Sequence, residues 1–97
     1  MIRHVVLMTW KDAISDEQLA RVNEAFRAMP ERVPGIVNSS FGPDLSIFPG
    51  NADYLLMLDF ESEEDFKNYV AHPAHAELME SVTGPLMASW ATAQMAV

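Results

Sequence analysis

Three histidines and a tyrosine are the side chains here whose types and spacing suit acid–base chemistry. Tyr69, His72 and His75 fall in the stretch Tyr69-Val70-Ala71-His72-Pro73-Ala74-His75, and His4 stands near the start of the chain. His75 sits just after Pro73, near the start of a helical segment, where the positive end of the helix dipole disfavours an imidazolium. A neutral imidazole can accept a proton, the state a general base needs. Tyr69 lies on the preceding helix, before the Pro73 break. Its hydroxyl can donate to a developing enolate or orient a carbonyl. The competing reading makes both residues packing between helix and sheet, with the hydroxyl satisfied by a neighbour.

The other two histidines support either role. His72 precedes a proline and is placed to cap or brace the turn. His4 is a polar residue in an apolar strand, so it either lines a cavity or is a satisfied core histidine, depending on register. A zinc reading would join His72 and His75 with His4. The proline interrupts the helix that would align the pair, and no carboxylate-rich cluster accompanies them. No metal and no cofactor are therefore expected. Cysteine is absent, which excludes disulfides and thiolate sites.

These residues must be positioned by a small set of elements. Ile2 to Trp10 reads as a strand, with His4, Val6, Met8 and Trp10 on one face and Arg3, Val5, Leu7 and Thr9 on the other. Both faces are apolar enough to be covered. Ser15-Asp16-Glu17-Gln18 is a capping box opening a helix with Leu19, Val22, Phe26 and Met29 as its apolar stripe. Pro30 and Pro34-Gly35 are expected to stop it. A second strand is expected over Ile36 to Phe41, then a loop from Gly42-Pro43 past Pro49-Gly50-Asn51, and a third strand over Asp53 to Phe60. Ser62 with the acids behind it starts a second helix that carries Phe66, Tyr69 and Val70 inward. Pro73 breaks that helix and opens a short one over Ala74 to Val82. Ala88 to Ala96 supplies the last strand. Trp10, Trp90 and the methionines are read as core filling.

The order β-α-β-β-α-β, with both helices on one sheet face, is a ferredoxin-like α+β protomer. Its other sheet face stays apolar, and a patch of that size marks an interface. A second copy paired sheet to sheet closes a dimeric α+β barrel. At 97 residues the chain is expected to form one domain, 1–97, because so short a chain cannot split its core.

With a formal charge of −8 and only six scattered Lys and Arg, the chain is not expected to bind nucleic acid. The acidity also turns away anionic ligands, so a neutral or largely apolar compound suits it better. No apolar run approaches a bilayer span, and the first residues enter a strand pattern directly rather than a signal peptide. A soluble cytoplasmic protein with no membrane partner is expected.

In order and spacing, Arg3-His4-Val5-Val6-Leu7, Lys11-Asp12, Pro34-Gly35-Ile36, Phe41-Gly42, Phe60-Glu61-Ser62 and Tyr69 to His75 resemble the Dabb family of stress-responsive dimeric α+β barrels, over nearly the whole chain. The resemblance implies a homodimer. It further implies similarity to a plant polyketide cyclase of that family, which performs a cofactor-free intramolecular aldol reaction. The catalytic tyrosine and histidine of that cyclase fall on Tyr69 and His75, and its helper histidines on His72 and His4. The reading that follows is a homodimer binding a small apolar or polyketide-like compound, with His75 as base and Tyr69 as donor. Two alternatives stand beside it: a non-enzymatic stress-associated barrel, and a cofactor-free monooxygenase of the related antibiotic-biosynthesis barrels.

Overall fold

Period-two alternation makes Ile2–Trp10 the first strand, β1, of a computed structural model that describes Met1–Val97. Then come α1 (Asp16–Arg32), β2 (Ile36–Pro43), β3 (Tyr54–Phe60), α2 (Glu63–Ala71), α3 (Pro73–Leu78), a π-helical turn over Met79–Thr83, and β4 (Met87–Ala96). The strands form one antiparallel sheet in the order β2-β3-β1-β4. This is the ferredoxin-like α+β topology that the element order implied.

Register decides which residues meet. His4 stands opposite Leu58 on β3 and Gln94 on β4, Val6 opposite Leu56 and Thr92, and Met8 opposite Tyr54 and Trp90. That face turns to the helices. Its residues Met8, Tyr54, Leu56, Leu58 and Phe60 join Val22, Phe26 and Met29 of α1, Tyr69 of α2 and Ala74 and Leu78 of α3 in one buried cluster. The Tyr54 hydroxyl donates to Asn23 Oδ1 at 2.6 Å, which satisfies its polar end where α1 crosses the sheet.

Strands β3 and β4 each start within one residue of the sequence expectation, and three boundaries differ by more. Pro30 lies inside α1 instead of ending it. A proline loses one amide and crowds the carbonyl four residues back. Here the buried side chains of Met29 and Val33 hold the last turn, and the Val33 N–H still reaches the Met29 carbonyl at 2.9 Å. Strand β2 extends past Phe41 and ends at Pro43, opposite Tyr54. It is an edge strand, where a missing amide need not break a ladder. The helix after Pro73 changes character at Met79, because the next five residues form the π turn. Gly84 closes that turn against the Met79 carbonyl oxygen, and a Cβ at this position would overlap that oxygen.

The opposite sheet face carries Val5 and Leu7 of β1, Leu55 and Met57 of β3, and Ala91 and Ala93 of β4, with Leu7 43% exposed. At one end of it Arg3 grips Asp59 through two contacts, Nε–Oδ1 at 2.8 Å and Nη2–Oδ2 at 3.1 Å. The Arg3 guanidinium holds the Asp59 carboxyl below the usual carboxylate range. On the apolar part of this face Leu7, Ala91 and Ala93 are exposed, and Val5, Leu55 and Met57 are half-buried. No helix is long and apolar enough to cross a membrane.

Candidate functional site

Helix α2 is started by Ser62, whose Oγ accepts the Asp65 N–H at 3.2 Å. Two turns later this places Tyr69 on the inner side, 2% exposed. His72 then ends α2 and begins α3. Its N–H reaches the Tyr69 carbonyl at 3.1 Å, and its carbonyl accepts the His75 N–H at 3.0 Å. Its ring nitrogen Nδ1 accepts the Ala74 N–H at 3.0 Å, a side-chain cap. With Pro73 at the first helical position, this junction turns the chain so that His75 points back toward Tyr69. The two rings meet edge to face with centroids 4.9 Å apart. His4 reaches the same place from β1, its ring 6.1 Å from that of Tyr69 and 4.9 Å from that of Phe66.

A cavity of about 300 Å³ opens between these helices and the β1–β4 half of the sheet. That is the lower end of the range for small-molecule sites, roughly 300–1,000 Å³. Its wall is mostly apolar: Val6, Met8, Leu56, Phe66, Leu78, Met79, Met87 and Trp90 supply most of it. Its polar groups are His4, Tyr69, His75, Thr83, Thr92 and Gln94, and no Lys, Arg, Asp or Glu lines it. Three of the four sequence-predicted residues therefore share one cavity. His72 is not in its wall; it sits at the helix junction, capping α3.

Every side-chain nitrogen or oxygen sealed from solvent in this protein has a hydrogen-bond partner. The Tyr69 hydroxyl and the His75 ring nitrogens have no partner in the protein, so they reach open space, and the cavity is the space both residues line. Burial pushes the Tyr69 phenol up to about 12 and pulls the His75 imidazole below its ordinary value. Burial, with His75 nearby, pulls His4 down to about 4. Near neutral pH the cavity thus holds a protonated phenol beside two uncharged imidazoles. The helix dipole is the sequence-based reason for a neutral His75. In the fold its cause is desolvation, since α3 has only six residues. A phenol against a neutral imidazole in an uncharged pocket can donate a hydrogen bond and accept a proton on the same ligand.

Phe66 is a wall residue that the helix pattern marks only as inward-facing, and Trp90 with Met8, Met79 and Met87, expected as core filling, line the cavity. Thr83, Thr92 and Gln94 also line it, without being among the residues expected from the sequence. Trp90, Thr92 and Gln94 alternate along β4, a signal present in the sequence, but only the pairing with β1 turns that alternation toward the helices.

The profile of the Stress responsive A/B Barrel Domain, Dabb, matches residues 2–96. The stress-response A/B barrel domain-containing protein HS1 of Arabidopsis thaliana is 29% identical over 87 residues, 88% of this chain and 80% of that protein. Olivetolic acid cyclase of Cannabis sativa is 24% identical over 76 residues, 76% of this chain and 75% of the cyclase. Among solved structures, a dimeric ferredoxin-like protein of unknown function from Thermobifida fusca superposes with a TM-score of 0.88 at 31% identity, covering 99% of this chain and 90% of that one.

Proposed function

We propose that this chain, which belongs to the stress-responsive A/B barrel (Dabb) family, is a homodimer that binds a small neutral carbonyl compound and catalyses cofactor-free proton transfer on it. The observation that carries this reading is the convergence of an unpartnered Tyr69 hydroxyl and an unpartnered, uncharged His75 imidazole on one cavity without a charged side chain. In the reaction, His75 takes a proton from the carbon next to a carbonyl. Tyr69 donates a hydrogen bond to that carbonyl oxygen as it becomes an enolate. The enolate carbon attacks a second carbonyl of the same chain, forming the ring bond, and the new alkoxide takes the proton held on His75. Atoms balance without any added reagent. His72 supports the site by fixing the junction that aims His75, and His4 supports it from β1. Similarity to olivetolic acid cyclase favours an aldol-type cyclisation of a polyketide-like substrate.

The dimer in this reading forms through the open sheet face. Val5, Leu7, Leu55, Met57, Ala91 and Ala93 give that face an apolar centre, and a relative of 31% identity is itself described as dimeric. The exposed side chains of Leu45, Ile47 and Phe48, in the loop between β2 and β3, add apolar surface beyond that sheet.

Deuterium uptake at the α-carbon of neutral aryl methyl ketones and 3,5-dioxo esters in D2O, followed by proton NMR, tests the chemistry on simple probes and does not require the natural ligand. The parent protein should accelerate uptake above the protein-free rate. Tyr69→Phe and His75→Ala should each reduce that acceleration about a hundredfold or more. If both variants melt well below the parent and exchange the probes unchanged, the two residues are packing groups and the protein is a non-catalytic barrel. A parent that never exceeds the protein-free rate would also defeat the proposal.

A further inference from the structure

His4 and Gln94 face each other across the β1–β4 ladder, and Gln94 Nε2 lies 2.9 Å from His4 Nδ1. We infer that Gln94 is a positioning residue: it holds His4 in the tautomer with its proton on Nε2, making His4 a second donor to the ligand's carbonyl oxygen beside Tyr69. This rests on the reaction proposed above, whereas the tautomer itself can be measured without any ligand.

With its amide nitrogen turned to the ring, Gln94 donates, and in that arrangement the facing Nδ1 accepts. A neutral imidazole has one N–H, which leaves the proton on Nε2. That nitrogen has no partner in the protein, yet no unpartnered polar atom is sealed from solvent, so Nε2 reaches open space. His4 is 7% exposed, and the cavity is the open space it lines. The other titratable groups facing that space are Tyr69 and His75, both neutral near pH 7, and no carboxylate is present to draw the proton to Nδ1. On the outer side of Gln94, Glu63 and Lys67 pair with each other at 3.2 Å and do not line the cavity.

The consequence is a division of labour between two imidazoles that otherwise look alike. His4 presents a donor and cannot act as the base from that nitrogen. His75, with no such partner, keeps a free lone pair for the proton. Two neutral donors and one neutral base select an uncharged ketone or ester oxygen over a carboxylate, whose charge would meet no cation in this wall.

The test is nitrogen-15 NMR of the imidazole rings near neutral pH, on the parent, Gln94→Glu and Gln94→Met. Position 94 lies on β4, where the residue is exposed, so the fold should survive either change. In the parent the unprotonated nitrogen signal of His4 should belong to Nδ1. In Gln94→Glu the carboxylate accepts a proton from Nδ1, so the protonated signal should move to Nδ1 and the His4 titration midpoint should rise. Gln94→Met should leave a mixture of tautomers. Ketone deuteration by Gln94→Glu should fall about tenfold in kcat with KM little changed, as when one oxyanion donor is weakened. A parent His4 carrying its proton on Nδ1 would overturn the inference. So would an unchanged exchange rate in a Gln94→Glu protein whose tautomer has moved. The expected tautomers in a protein that exchanges no ketone would fault the reaction reading and leave the Gln94 lock standing.

Discussion

Acidification should destabilise this protein through His4, by an amount the fold lets one bound. The imidazole titrates at about 4 when folded, against an ordinary value of 6.5, because burial disfavours its charged form. The unfolded chain therefore binds more protons in that interval, so stability is full above about 6.5 and is lost as the pH falls through about 4. At ~1.4 kcal/mol per pKa unit, the gap corresponds to roughly 3.5 kcal/mol at most. The ring opens on a cavity that admits water, which screens the imidazolium and brings the expected loss to roughly 1–2 kcal/mol. Asp59, held below the usual carboxylate range by Arg3, loses stability in the same direction at lower pH, so the parent alone is not diagnostic. The informative quantity is the difference between the parent and His4→Gln. Urea unfolding of both proteins, at one protein concentration and from about pH 7.5 to about pH 4, supplies it. The parent should lose roughly 1–2 kcal/mol more than the variant over that span. A difference that stays constant with pH, or that grows in the parent's favour as the solution is acidified, would refute a buried neutral His4.

Other perturbations follow from single contacts. Gly84→Ala forces a methyl onto the Met79 carbonyl oxygen, so denaturant unfolding should show a loss of about 1–3 kcal/mol or more. The same change should weaken binding of neutral ketones, because Met79 and Thr83 line the cavity. Leu7→Lys places a charge at the centre of the open sheet face. Sedimentation should find the parent at twice the 10.8 kDa chain mass and the variant shifted toward monomer, and a monomeric parent would end the barrel reading. Tyr69→Phe removes an oxygen with no protein partner, so its stability should stay within about 1 kcal/mol of the parent in thermal melts. Ser15→Ala removes the Oγ that accepts the Gln18 N–H at 3.1 Å and should cost about 1 kcal/mol in the same assay.

Local signals carry most of the fold. The Ser15 capping box, the Ser62 cap and the period-two run of Ile2 to Trp10 each act within a few residues, and each element forms where its pattern stands. Pro30 looks like a stop in the sequence but is not, and Pro43 is taken into β2 as its last residue, since what a proline does to an element depends on its surroundings. The burial of Met29 and Val33 carries α1 past the first, and the edge position of β2 tolerates the second. The π turn at Met79 has no local signature beyond Gly84, because its reason is a carbonyl that needs the space a side chain would take.

The sequence by itself determined the residue types of the site and the cap-and-proline junction at His72-Pro73 that joins the helix of Tyr69 to the helix of His75. Only the tertiary structure turned His4 toward the helices, beside Tyr69, and set Gln94 against it, ninety positions away along the chain. The same alternation in β1 would have buried Arg3 and Leu7 and exposed His4 had the strand slipped by one residue. Pairing with β3 and β4 chose between those faces, because only one of them lets the helices cover Met8, Tyr54, Leu56 and Phe60 together. Register is a cooperative property of the whole sheet, so no stretch of the chain contains it.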